Sequence, residues 1–344
     1  MSYLVTIQPD GLQFSCHKNQ TVLDAALEQG IAISYGCKNG QCGSCQGKLL
    51  SGKIEYADGM PDGLDQEDAE KGAVLFCKAL AKNDLYIEIK VGRNAENVEI
   101  KTLPVRVSSL ENLTGDVIKI TLQLPVAEEF NFSAGQWVYF LLKDGQKRAF
   151  SIANHFTRNN QLEIHVRHAI GGVFTDFVFD QLKQGSLLRI EGPHGTFTFQ
   201  EDKKPILLIA GGTGFAPIKG IMEHIIDLDF QQPIHLFWGS RAKKDLYMES
   251  LIEQWISQLG MKYTPVLSDP EPEDNWDGKI GFVHQAVLNH YPEMNNFAVY
   301  MAGPPQMISS ARDAFIPAGL SFEMLYYDSF EYSSDALDKM QEKS

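Results

Sequence analysis

The sequence predicts a multi-domain chain of α+β and α/β class: a small cysteine-bearing α+β domain, an antiparallel β-barrel and a parallel-sheet α/β domain. Three observations predict it. The stretch Gly36-Cys37-Lys38-Asn39-Gly40-Gln41-Cys42-Gly43-Ser44-Cys45 sets three cysteines in a loop of small residues, and Cys77 follows further on. From Leu103 to Ile190, short strand-like segments succeed one another with only turns between them. Beyond them an unbroken apolar run, Pro205 to Ala210, leads straight into Gly211-Gly212-Thr213-Gly214 and a helix. That run reads as a strand buried on both faces of a parallel sheet.

The 344 residues suffice for two or three domains, each with its own core. A net charge of −14 argues against nucleic acid or an anionic membrane as partner. No apolar run approaches the ~18 residues that a membrane-spanning helix needs. The segment Met1 to Ile7 has neither the basic nor the apolar region of a secretory signal. Five cysteines, of which Cys16 has no assigned role, fit a reducing compartment. The expectation is a cytoplasmic monomer.

In the first domain, Tyr3 to Ile7 and Leu12 to Cys16 read as a hairpin turned at Pro9-Asp10-Gly11. Thr21 caps a helix whose apolar face is Val22, Leu23, Ala26 and Leu27, and Gly30 ends it. Short strands are expected at Gly47–Leu50 and Leu85–Val91. Residues 58–70 carry six acids and no base, which reads as a solvated loop and helix start or as an acidic docking face. Four thiolates suffice to hold two irons and two sulfides. A structural zinc site or a disulfide framework are the other readings, although zinc sites usually pair two C-x2-C knuckles and only one is present. The C-x4-C-x2-C loop with Cys77 resembles that of plant-type ferredoxins. The resemblance covers residues 1–92 and implies a β-grasp fold, with a [2Fe–2S] cluster on Cys37, Cys42, Cys45 and Cys77. Residues 92–100 read as a polar linker.

Residues 101–200 form the barrel, with strands expected at Val105–Val107, Val117–Leu124, Trp137–Leu141, Phe150–Ile152, Leu162–Arg167 and Leu187–Ile190. Gly192-Pro193-His194-Gly195 reads as the tight turn that closes it. Gly171-Gly172-Val173-Phe174-Thr175 opens a helix, whose free N–H groups favour a phosphate. Arg148-Ala149-Phe150-Ser151 matches the R-x-[YF]-S motif of the ferredoxin–NADP reductase family. That resemblance implies a flavin-binding barrel. Arg148 would pair with the pyrophosphate, Ala149 and Phe150 would lie along the isoalloxazine, and Ser151 would bond near flavin N5. Gly172, Val173 and Thr175 would hold phosphate. Relatives often carry tyrosine where Phe150 stands, so a hydroxyl contact is lost while the ring face is kept. The order of domains implies FAD.

Residues 203–332 form the third domain. Gly211, Gly212, Thr213 and Gly214 lie between a strand and a helix, the geometry that receives a pyrophosphate. A second strand, Ile234 to Trp238, ends at Gly239-Ser240-Arg241, and Asp245-Leu246-Tyr247 reads as the start of a helix. Val299 to Met307 contains Ala302-Gly303-Pro304-Pro305, which matches the family's C-G-P-P-x-M with alanine for cysteine. The resemblance implies nicotinamide binding here, with Ser151, Thr213 and Ala302 lining the hydride site, and Gly303, Pro304 and the C-terminal Phe330 around the cofactors. Ser240 and Arg241 would meet the adenosine ribose. Arg241 alone leans to NADPH, but residues 201–344 carry −10 of the total charge, which disfavours an added phosphate. NADH is the expected nucleotide, with NADPH used more weakly. The last fourteen residues read as a polar tail.

The whole chain resembles a ferredoxin-fused NAD(P)H reductase of the ferredoxin–NADP reductase superfamily. The resemblance implies electron transfer from NADH through FAD to [2Fe–2S] and on to a protein acceptor, an oxygenase component or an iron–sulfur sugar dehydrase. A free-standing flavin or ferric reductase is the alternative.

Overall fold

A computed structural model of the chain describes residues 2–91, 99–156 and 160–330. Most of the expected linker, 92–98, and the polar tail, 331–344, lie outside these residues. The chain divides into two compact units: residues 1–98 with Gly195–Phe197, and residues 99–194 with 198–344.

In the first unit the strands are β1 (Ser2–Gln8), β2 (Gln13–His17), β3 (Gln46–Ser51), β4 (Ile54–Tyr56), β5 (Ala73–Leu75), β6 (Ala79–Ala81) and β7 (Leu85–Glu88). Helix α1 (Val22–Glu28) follows β2, and α2 (Gln66–Glu70) follows β4. The main sheet runs β2-β1-β7-β3-β5, with β1 and β7 parallel and the other pairs antiparallel. Helix α1 starts where expected because Thr21 Oγ1 accepts from Asp24 N at 3.1 Å. Its Val22, Leu23, Ala25 and Ala26 are buried. The expected last strand stops at Glu88, and Val91 makes only a bridge to Ile33. The acidic segment does contain a helix start: Asp65 caps α2 by accepting from Glu67 N at 2.8 Å.

The second unit opens with the barrel: β8 (Lys101–Asn112), β9 (Val117–Gln123), β10 (Trp137–Leu141), β11 (Lys147–Ser151), β12 (Gln161–Arg167), helix α3 (Val173–Asp180) and β13 (Leu187–His194). The strand order is β11-β10-β13-β8-β9-β12, antiparallel throughout. The two edge strands meet at the Ile152–Ile164 bridge, where Ala153 N donates to Glu163 O at 2.7 Å. Alternate residues point inward, so Ile118, Ile120 and Leu122 of β9 join Val138, Phe140, Ile164 and Val166 in one core. Phe174 and Val178 of α3 close its end. Each such side chain stabilises the barrel by about 1.5–3 kcal/mol. The expected turn at Gly192–Gly195 is not there. Strand β13 continues through it, pairing Gly192 with Lys101 and His194 with Trp137.

The rest of the unit comprises β14 (Ile206–Gly211), α4 (Phe215–Asp227), β15 (Ile234–Ser240), α5 (Glu249–Leu259), β16 (Lys262–Leu267), β17 (Lys279–Ile280), α6 (Val283–His290), β18 (Ala298–Gly303), α7 (Pro305–Phe315) and β19 (Leu325–Ser329). The sheet order is β17-β16-β15-β14-β18-β19, all parallel. Every residue of β14 and β18 is buried. From β14 the chain winds outward to one side and then returns to the other through β18. The order therefore reverses between β14 and β18, and the crevice for a ligand opens at their carboxyl ends. The helix expected at Asp245 begins instead at Glu249. Lys243–Asp245 form a short 3₁₀ turn, and Met248 at φ 62° breaks the run before α5.

Candidate active site and metal centre

The cysteine loop folds tightly because Gly40 and Gly43 take φ of +92° and +75°, a backbone region open to glycine. The four thiols form two pairs. Cys37 N donates to Cys42 Sγ at 3.3 Å and Cys42 N to Cys37 Sγ at 3.4 Å, while Cys77 N donates to Cys45 Sγ at 3.4 Å. A hydrogen bond from Cys42 holds the Cys37 thiol well below its usual range. The hydrogen bond to Cys37 and burial push Cys42 up, and the hydrogen bond to Cys77 and burial do the same to Cys45. Two pairs on adjacent segments fit two irons with two cysteines each, and the backbone N–H donors fit anionic sulfur.

In the barrel, Arg148, Ala149, Phe150 and Ser151 lie on β11. Arg148 is extended along its own strand, donating to Gln146 Oε1 at 2.6 Å and Lys147 O at 3.1 Å. Phe150 is half-buried and leans on Phe140 and Phe174, with centroids at 5.6 and 5.3 Å. Gly172 is the N-cap of α3 and Val173 its first residue. Thr175 Oγ1 donates back to Ala169 O at 2.8 Å and so shapes the loop at the start of α3. Asp176 fixes the same loop, accepting from Gly171 N at 3.1 Å and facing His168 Nε2 at 2.9 Å.

The glycine crevice is backbone against backbone. A Cβ on Gly214 would lie 1.9 Å from Ala302 O, and one on Gly303 would lie 3.1 Å from Gly211 Cα. Gly211, Gly214 and Gly303 are thus needed for close approach, while Gly212 takes φ +52°. Trp238 Nε1 donates to Gly212 O at 3.0 Å and holds the loop. Ala302 is fully buried and pairs in register with Ala210 and Asp328. Phe330 N donates to Gly303 O at 2.9 Å, which brings Phe330 to the mouth of the crevice beside Pro304.

Two further residues join this site: Asp328, in the C-terminal segment Tyr326–Phe330 that the sequence already places by the flavin, and Arg167, which sequence reasoning read only as the end of a strand. Asp328 is buried and accepts from Ser151 Oγ at 3.2 Å. Arg167, the last residue of β12, faces the glycine loop, its NH1 3.6 Å from where a Gly212 Cβ would stand. Its Nε and NH2 are buried without a hydrogen bond, and the nearest carboxylates are Asp116 at 3.5 Å and Asp245 at 3.8 Å. Nε and NH2 thus face the two acids, while NH1 is the guanidinium nitrogen turned to the glycine loop, where a cation fits a phosphate. At the end of β15, Ser240 Oγ is buried and unbonded, and the Arg241 side chain is 70% exposed with Nε 3.8 Å from Asp245. Asp269 N donates to Arg241 O, Lys244 pairs with Glu271 at 2.5 Å, and Asp274 accepts from Lys243 N at 3.1 Å. The segment after β16 therefore brings three acids to this corner.

Three family models match in the order of these structures: a 2Fe-2S iron-sulfur cluster binding domain over residues 5–82, an oxidoreductase FAD-binding domain over 104–199 and an oxidoreductase NAD-binding domain over 208–313. The chain is 39% identical over 330 residues to the CDP-6-deoxy-L-threo-D-glycero-4-hexulose-3-dehydrase reductase of Yersinia pestis, covering 96% of this chain and 99% of that one. The chain belongs to the ferredoxin-fused NAD(P)H reductases of the ferredoxin–NADP reductase superfamily. Within that family it is 31% identical over 341 residues to the phenol hydroxylase P5 protein of Acinetobacter pittii, covering 97% of this chain and 96% of that one. A solved ferredoxin reductase in carbazole 1,9a-dioxygenase superposes with a TM-score of 0.68 at 26% identity, over 96% of this chain and 99% of that one.

A reductase of this family carries [2Fe–2S], FAD and NAD(H), and the sites described above fit each in turn. Bound FAD links the two-electron hydride of a nicotinamide to the one-electron steps of an iron–sulfur cluster. Among the described residues no helix is long and apolar enough to cross a membrane.

Proposed function

We propose that this reductase takes electrons from NADH in preference to NADPH and delivers them singly, through FAD and [2Fe–2S], to a protein acceptor that is an oxygenase component or an iron–sulfur sugar dehydrase. The observation that carries the reading is the two-and-two pairing of Cys37/Cys42 and Cys45/Cys77 in a chain that also holds the Gly211–Gly214 crevice. The reductases of CDP-hexulose dehydrase and of phenol hydroxylase, to which the chain is similar over nearly all its length, support a protein acceptor. In this reading residues 1–92, 101–200 and 203–332 carry the cluster, the flavin and the nicotinamide respectively. A cysteine left over beside four cluster ligands, Cys16, supports a reducing, cytoplasmic setting.

The residues divide the work. Arg148 turns from Gln146 to the flavin pyrophosphate, with the α3 N-terminus at Gly172–Val173 as a second anion site. Phe150 packs along the ring, and Ser151, its proton held by Asp328, turns its oxygen lone pairs to the reacting edge. Arg167 and the Gly211–Gly214 backbone hold the nucleotide pyrophosphate. Thr213 and Ala302 border the nicotinamide, where the small side chain of Ala302 leaves room. Ser240 and Arg241 meet the ribose. The exposed acids of 58–70, with Met60 51% exposed among them, suit a basic rim on the acceptor.

The test is Cys42→Ser in the FAD-loaded chain. The reduced [2Fe–2S] electron-spin signal and electron delivery to a protein acceptor should vanish, while NADH oxidation with ferricyanide, which draws on the flavin, persists. Loss of both with FAD still bound would reverse the electron order. Undiminished physiological turnover would favour a free-standing flavin or ferric reductase.

A further inference from the structure

Lys219 is a cation with only 5% of its surface exposed. Its three ammonium protons meet three acceptors: Ala153 O at 3.1 Å, Glu163 Oε1 at 3.1 Å and Glu223 Oε1 at 2.5 Å. Burial pushes the Glu163 carboxyl up, but the hydrogen bond from His165 and the charge of Lys219 outweigh it and hold it at about 2. Simple adhesion of a helix to a barrel needs no buried charge, since an apolar contact would serve at lower desolvation cost. What two directed hydrogen bonds and a second ion pair add is a defined geometry.

The positions it joins give that geometry a purpose. Helix α4 leads out of the Gly211–Gly214 loop without a break, and Lys219 is five residues beyond Gly214. Ala153 is two residues beyond Ser151. The same face of α4 grips this segment twice more. A Cβ on Gly220 would lie 3.2 Å from both Ile152 O and Asn154 O, and Glu223 Oε2 accepts from His155 N at 2.9 Å. The clamp also straddles the barrel seam, because Ala153 and Glu163 are the residues that close it.

We propose that Lys219 is a positioning residue that sets the nucleotide loop against the flavin strand, so that it governs the rate of hydride transfer and not the affinity for either cofactor. The inference rests on the reading that Ser151 faces the flavin and Thr213 the nicotinamide. Its buried ammonium is already surrounded by three protein acceptors, so it has no proton to offer FAD or NADH, whereas a small displacement at the reacting atoms is costly in rate.

The experiment is anaerobic stopped-flow reduction of the FAD-loaded full chain by NADH, for wild type, Lys219→Met, Lys219→Arg and Gly220→Ala. For Lys219→Met the expected result is FAD content and NAD⁺ Kd within threefold of wild type, a limiting rate of flavin reduction at least tenfold lower, and a weaker long-wavelength absorbance between reduced flavin and NAD⁺. In the flavin-free chain, amide exchange at Ile152–His155 should quicken. Gly220→Ala leaves the charges in place but pushes on the same backbone, and it should lower the same rate. If Lys219→Met does not fold, Lys219→Arg and Gly220→Ala decide, and wild-type rates in both overturn the proposal. An unchanged limiting rate in Lys219→Met overturns it, as does a loss confined to KM. Ser151→Ala and Thr213→Ala separate the layers: if neither alters flavin reduction, the underlying site reading has failed, whereas if they do and Lys219→Met does not, only this inference has.

Discussion

Ser151 Oγ donates to Asp328 Oδ2 at 3.2 Å, joining a barrel strand to the last strand of the parallel sheet across 177 residues of sequence. Asp328 in turn lies in register with Ala302. The three residues therefore form one row, with the serine hydroxyl held by the carboxylate. A carboxylate acceptor is worth roughly 1.5–3 kcal/mol to such a hydroxyl, enough to decide its orientation.

Asp328→Ala should leave FAD content unchanged and slow flavin reduction by NADH by about tenfold, the equivalent of 1.4 kcal/mol. Stopped-flow reduction at saturating NADH measures this. A wild-type rate in the alanine variant would remove Asp328 from the orientation of Ser151.

Arg148→Ala removes a charge-assisted pair to the flavin pyrophosphate worth roughly 1.5–3 kcal/mol, or about one to two decades in FAD affinity. The variant should lose flavin during gel filtration and regain it at higher FAD. An unchanged FAD titration would show that Arg148 stays with Gln146 when flavin binds.

At the ribose corner, kcat/KM should favour NADH over NADPH in the wild type at fixed ionic strength. Arg241→Ala should lower NADPH turnover more than NADH turnover. Neutralising the neighbouring acids in Glu271→Gln/Asp274→Asn should raise it. Equal use of both nucleotides by the wild type would contradict the preference, and an Arg241→Ala variant with an unaltered ratio would exclude that side chain from the site.

Acid should weaken the third domain through His235, whose ring is bonded to Tyr291 and Thr264 at 3.0 and 2.8 Å. Burial lowers its pKa to about 4. The proton then prefers the unfolded chain, so this contribution to stability is complete above the ordinary value near 6.5 and is lost as pH falls toward 4. Thermal midpoints of wild type against His235→Gln over that window test it, and the variant should show the shallower decline.

The candidate stretches Cys37–Cys45, Arg148–Ser151 and Gly211–Gly214 are each local in sequence, so a short motif announces the local geometry of each, whereas Cys77 comes from a separate segment. Arg167, the acids at 269–274 and the pairing of Asp328 with Ser151 were not legible, because the order of strands alone brings them together. Gly192-Pro193 carries the usual marks of a turn, yet β13 runs through it because Lys101 and Trp137 offer pairing partners on either side. The helix start at Asp245 failed for the opposite reason: a left-handed Met248, which no local preference announces, interrupts the run.

The thin barrel seam bears on how this chain can be dissected. Three domain signatures invite three fragments, but among the described residues β11 and β12 are joined by a single bridge, and α4 from the third domain lies over it. A fragment ending near residue 200 would leave two strand edges with unpaired backbone groups and Glu163 without its cation. Exposed edges of that kind recruit other chains. Expressed alone, the barrel should self-associate and precipitate. Joined to residues 201–330 it should stay dispersed, so the smallest workable flavoprotein fragment is the whole of the second unit.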